Sequence, residues 1–248
     1  MSTSSRPQTE GAPAGPATPH RPGPSPAGLL LVLPALLFSL ITWQVTDDGP
    51  LVDVDERLSR ALVHPDRASE LLSDLGNAET AIPVIVLAAG YTAWRGSAAR
   101  VRRWWLPPVA ALLLLTLVPL IVIPLKAWTD RVGTPAVPPA TGYYPSGHTA
   151  TAVVAYGAAA LLLLPWLLTP LARRAALTAA AVLVAAVSFG LVRRGYHWPL
   201  DVVASWCLGA LLLGTLWLAL RRIARGATAP IRRTAASHHY DSDKRPPA

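Results

Sequence analysis

The chain has 248 residues, 52% of them hydrophobic and only 15% charged, where a soluble domain carries about 25% charged residues. That deficit, with apolar runs of about 20 residues, excludes an ordinary soluble globule and points to lipid as the solvent. The formal net charge of +8 suits nucleic acid or a membrane surface, but no basic run is interleaved with stacking aromatics, so the reading is a membrane and no nucleic acid.

Residues 1–27 are rich in Pro, Ser, Ala and Gly and have almost nothing to bury, which predicts a disordered tail. A signal peptide is not expected, because the first apolar run begins at Gly28 and is long enough to remain as an anchor. Six apolar runs follow, over 28–46, 75–94, 105–125, 148–168, 175–192 and 201–220. They predict an all-α polytopic membrane protein, a bundle of six transmembrane helices over residues 28–220. The second run carries Glu79 near its start, and the fifth is short and Ala-rich.

Between the first two runs, acidic residues alternate with leucines at helical spacing. Leu58, Ala61 and Leu62 share one face, and Leu71, Leu72 and Leu75 share another. Amphipathic helices lying on the outer membrane surface are expected there. Asp53, Asp55 and Glu56 are read as a solvated face rather than a metal site, since no His stands at useful spacing.

Arg95, Arg100, Arg102 and Arg103 lie between runs two and three, and Arg173 and Arg174 between four and five. Arg221, Arg222, Arg225, Arg232 and Arg233 follow the last run. Positive charge concentrated in alternate loops puts those loops and both termini in the cytoplasm of a cell-membrane protein. Residues 221–248 read as a second disordered, basic tail, whose His238 and His239 are taken as solvated. Cys207 is the single cysteine and lies within the sixth run, which excludes an internal disulfide and suggests a small apolar packing residue.

The outward loops, 126–147 and 193–200, hold the reactive residues. Lys126, Arg131, Arg193 and Arg194 stand on the side where topology disfavours positive charge, and four together suggest an anion site. Ser146, Gly147 and His148 open the fourth run. A helix start exposes unpaired N–H groups and partial positive charge, Gly147 allows close backbone approach, and Ser146 can cap the helix or donate to a phosphate oxygen. That stretch alone fits an ordinary helix cap equally well.

His197 and Asp201 stand four apart at the start of the sixth run, with Pro199 suited to a first helical turn. At that spacing a carboxylate can accept the imidazole N–H and raise the basicity of the far nitrogen, which prepares a nucleophile. Phosphoryl transfer needs charge neutralisation, an in-line nucleophile and a proton for the leaving group. Lys126, Arg131 and one of Arg193 or Arg194, with the helix N–H groups, suit the first requirement. His197 suits the second, forming a phosphohistidine, and His148 suits the third as general acid. The scheme calls for no metal and no cofactor.

These residues resemble the type 2 phosphatidic acid phosphatase superfamily, which also includes vanadium-dependent haloperoxidases. The resemblance rests on "KAWTDRVGTP", "PSGH" and "GLVRRGYHWPLD" in the expected order. It implies a six-helix membrane bundle with its active site at the outer face, acting on lipid phosphates or diphosphates, and it supports the roles given to His148, His197 and Asp201. The chain departs from the family pattern in two places. Gly133 and Thr134 stand where the first motif ends in Arg-Pro, with Arg131 matching a second arginine common in relatives. Gly190 and Leu191 stand where the third motif has Ser-Arg, with Arg193 and Arg194 displaced toward His197. The alternative is a catalytically degenerate protein of the same fold that binds or moves a phospholipid.

Overall fold

In hydrocarbon each backbone N–H must find its acceptor within its own segment, so long apolar runs fold as helix. The computed structural model describes residues 26–228, with side chains over 31–224, and all regular structure there is helical. The elements are α1 (Pro26–Thr46), α2 (Pro50–Leu62), α3 (Arg67–Asp74), α4 (Ala78–Ala98), α5 (Leu106–Thr129), α6 (Gly147–Leu163), α7 (Pro170–Arg194) and α8 (Pro199–Thr228). A 3₁₀ turn, Leu164–Trp166, extends α6. The tails outside these residues, with His238 and His239, lie beyond the described part of the chain.

All six predicted runs are helical, but the count of crossings is lower than expected by length and apolarity. Among the described residues four helices qualify alone: α5, α6 with its 3₁₀ turn, α7 and α8. A fifth qualifies if α3 and α4, bent by 43° at their junction, count as one span. The described apolar part of α1, Leu31–Thr46, is shorter. Two boundaries also move. Thr169 caps α7 by accepting from the Ala172 N–H at 3.1 Å, with Pro170 at the first position. α7 therefore begins before Arg173 and Arg174 and ends with Arg193 and Arg194 in its last turn, all four of which were expected in loops. α8 runs eight residues beyond the boundary expected at 220, to Thr228.

α6 is the central helix and packs against α4, α5, α7 and α8. Its contact with α8 depends on small residues: a Cβ at Gly209 would lie 2.2 Å from Val153 Cγ1. α2 and α3 form where amphipathic helices were predicted, but some of their polar residues face inward while Asp53, Arg57, Arg60, Arg67, Glu70 and Asp74 stay exposed. Asp55 and Ser59 of α2 and Ser69 and Ser73 of α3 are buried, while Leu58, Leu62 and Leu71 are exposed.

Candidate active site

The end of α5, the start of α6 and the α7–α8 junction meet at one end of the bundle. Asp130 adopts a left-handed conformation that terminates α5, and the chain folds back so that Gly142 O accepts from Lys126 Nζ at 2.7 Å. The Lys126 ammonium also lies 5.9 Å from the centre of the Tyr143 ring. Ser146 is the N-cap of α6, its Oγ accepting from the Thr149 N–H at 3.3 Å. This leaves the N–H groups of Gly147 and His148 as open donors of the first turn, at the positive end of the helix dipole.

α7 ends at Gly195 in the left-handed region (φ 72°), which only glycine adopts without penalty, and the Thr134 hydroxyl donates to the Gly195 carbonyl. The turn delivers His197 and the first turn of α8. His197 Nδ1 and Asp201 Oδ2 are 3.1 Å apart and both side chains are buried. Because Nδ1 is engaged, Nε2 is the nitrogen left for chemistry. The Tyr143 ring stands edge-on to that of His197, 5.9 Å between centroids. The rings of His148 and His197 are 6.5 Å apart, tilted by 59°. Both line a cavity of about 620 Å³ with Lys126, Tyr143 and Gly147, within the usual range for small-molecule sites.

The other predicted anion-binding residues stand elsewhere. Arg131 is buried, donating from Nη1 to Asp201 Oδ1 at 2.5 Å and from Nη2 to Asp55 Oδ2 at 2.7 Å. Its guanidinium lies over the Trp198 ring at 5.4 Å. Ser146 is fully buried and spends its hydroxyl on the helix cap. Arg193 Nε pairs with Asp66 Oδ2 at 2.9 Å, and Arg194 donates to Tyr196 Oη at 3.1 Å. Of the nine predicted site residues, His148, His197, Lys126 and Gly147 line the cavity and Asp201 backs it. Ser146, Arg131, Arg193 and Arg194 do not line it, because the helix cap and carboxylate or phenol partners hold them.

Asp55 is the residue that sequence reasoning placed wrongly: it is 2% exposed rather than solvated. Its Oδ1 accepts from the Leu200 N–H at 2.9 Å, capping the start of α8 from another helix. Burial pushes its carboxyl above the ordinary value of 3.8, opposed by Arg131 and the Leu200 N–H. At the α3–α7 contact the Ser69 N–H, then the Arg193 guanidinium, hold the Asp66 carboxyl down at about 2.

Residues 108–225 match the family model of the PAP2 superfamily. An undecaprenyl-diphosphatase from Sulfolobus acidocaldarius is 37% identical over 101 residues, 39% of this chain and 40% of that relative, so the match spans well under half of the relative's length. The crystal structure described as the first transmembrane PAP2 type phosphatidylglycerolphosphate phosphatase, from Bacillus subtilis, superposes with a TM-score of 0.64 at 26% identity. That superposition covers 77% of this chain and 95% of the other.

Proposed function

We propose that this membrane protein, whose residues 108–225 match the family model of the PAP2 superfamily, hydrolyses a lipid phosphate or diphosphate. The observation that carries the reading is the pair of imidazoles, His148 and His197, lining one cavity with Asp201 behind the second. The cavity has two characters. Lys126 and the α6 N–H groups make one end polar, while Ile82, Leu115, Val118, Val122 and Ile123 make the other apolar. A phosphate on a hydrocarbon tail matches both.

In the proposed reaction Asp201 holds His197 with Nε2 free, and that nitrogen attacks phosphorus as the bond to the lipid oxygen breaks. His148 gives its proton to the departing oxygen. Lys126 and the N–H groups of Gly147 and His148 hold the charge on the equatorial oxygens. Water then gives a proton to His148 and attacks the phosphohistidine; the P–N bond breaks and phosphate leaves. Every proton and electron pair is accounted for without a metal.

We read α1 and α4 to α8 as six crossings, with the site outside and both termini inside. The arginines between α4 and α5, at the start of α7 and at the end of α8 support that orientation.

A protein that binds the same lipid without turnover is the second reading. Lys126 is the only Lys or Arg lining the cavity among the described residues, which favours weaker neutralisation of the transition state. One assay separates the two. Purified protein in detergent with a chelator is given short-chain phosphatidic acid, phosphatidylglycerophosphate or undecaprenyl diphosphate, and phosphate release is measured. Release from wild type that His197→Ala abolishes supports hydrolysis. Equal release from both proteins overturns it, and binding without release supports the second reading.

A further inference from the structure

We infer that Asp55, on surface helix α2, is a positioning residue that acts on His197 through Arg131 and Asp201. The inference rests on the hydrolytic reading above for its kinetic consequence, but its geometry is independent of it.

Four buried side chains form one chain of contacts. His197 Nδ1 meets Asp201 Oδ2 at 3.1 Å, Asp201 Oδ1 accepts from Arg131 Nη1 at 2.5 Å, and Arg131 Nη2 donates to Asp55 Oδ2 at 2.7 Å. All four residues are less than 9% exposed. A chain of this kind is stronger than its pairs taken singly, because each link polarises the next in a low dielectric.

The charge balance gives Asp55 a task. One guanidinium shared by two carboxylates leaves the cluster with a surplus of negative charge beside His197. Were Asp55 neutral, Arg131 would serve Asp201 alone and offset the charge that Asp201 presents to the imidazole. Asp55 also fixes the base of α8 through the Leu200 N–H, so the same carboxylate sets both the charge and the position of the helix that carries Asp201. The groups facing His197 are Asp201 on α8, Tyr143 in the loop before α6 and His148 on α6, with Lys126 on α5 lining the same cavity.

The test is Asp55→Asn, which preserves shape and one oxygen acceptor, in full-length protein labelled with ¹⁵N-histidine in detergent. Asp53→Asn, exposed on the same helix, is the control. The His197 ring-nitrogen resonances are expected to move in Asp55→Asn and not in the control. With kcat and KM measured in parallel, kcat should fall about 10- to 100-fold, by analogy with the outer partners of metal-ligating histidines. KM should hold, because Asp55 does not line the cavity. In an Arg131→Gln background Asp55→Asn should cause no further loss. Should Asp55→Asn not fold, Asp55→Glu, which keeps the charge and shifts it by a methylene, tests the positioning alone: the His197 resonances are expected to move, with a smaller fall in kcat. Unmoved His197 resonances, or losses that multiply in the double variant, overturn the link. Moved resonances in a protein that releases no phosphate uphold the link and remove the hydrolytic reading instead.

Discussion

His148, on α6, and His197, in the turn before α8, face one cavity with ring centroids 6.5 Å apart. An attacking nitrogen must approach phosphorus to about 3 Å, and a proton donor must lie about 3 Å from the departing oxygen. Two imidazoles separated on this scale can straddle one phosphoryl group in line. His148→Ala should therefore slow the first step for poor leaving groups far more than for p-nitrophenolate, which needs no proton. Comparing kcat on an alkyl and a p-nitrophenyl phosphate reads this directly; equal losses on both would remove His148 from the role of acid.

Lys126 and the displaced arginines should behave differently. Lys126→Met removes the one Lys or Arg that lines the cavity among the described residues, and about 10²- to 10³-fold of kcat is the usual cost of losing such a group. Arg193→Gln and Arg194→Gln act on partners in α3 and the α7–α8 turn, so kcat/KM should stay within a few-fold of wild type. A loss at Arg193 or Arg194 as large as at Lys126 would mean that they reach the phosphate.

Arg131→Met leaves Asp55 and Asp201 buried without their shared cation. Breaking a buried ion pair from one side costs about 3–5 kcal/mol, so the variant should lose most of its resistance to thermal unfolding. Arg131→Lys should recover little, because an ammonium cannot reach two carboxylates with the fork of a guanidinium. Unfolding midpoints in one detergent distinguish these outcomes.

Gly190 has no room for a side chain. A Cβ there would lie 2.5 Å from Ser73 N and 2.7 Å from Ser69 O, both backbone atoms of α3. Gly190→Ser should push α3 off α7 at a cost of about 1–3 kcal/mol. Faster amide exchange across α3 is the expected signature, and unchanged exchange would place α3 elsewhere.

Asp66 predicts an acid-sensitive edge. Its carboxyl sits at about 2 in the folded chain against an ordinary value of 3.8, so it stabilises the α3 cap above the higher value. That contribution fades as the pH falls from about 4 to about 2. Amide exchange at Ser69 should accelerate over that window in wild type, and Asp66→Asn should abolish the pH dependence.

The helices were legible because apolar runs of membrane length admit little else. The pair His197 and Asp201 was legible because the two stand four residues apart at a helix start, although His197 itself lies in the turn before α8 and reaches Asp201 from there. Asp55 was not. Amphipathic patterning in water puts acids outside, whereas α2 turns Leu58 and Leu62 outward and buries Asp55. The partners of Arg193 were hidden by distance along the chain, since Asp66 lies 127 residues away. Gly190 and Leu191 carried a partial sign: a glycine and a leucine in place of polar residues mark a surface that packs, here against α3 and in the core.

The most direct measurement traps the covalent intermediate. His148→Ala, mixed with ³²P-labelled p-nitrophenyl phosphate, whose leaving group needs no proton, and quenched in alkali, should retain label that is stable in base and released by acid, and peptide mapping should place it on His197. Label on another residue, or none in a variant that still releases p-nitrophenolate, would contradict the mechanism at its centre.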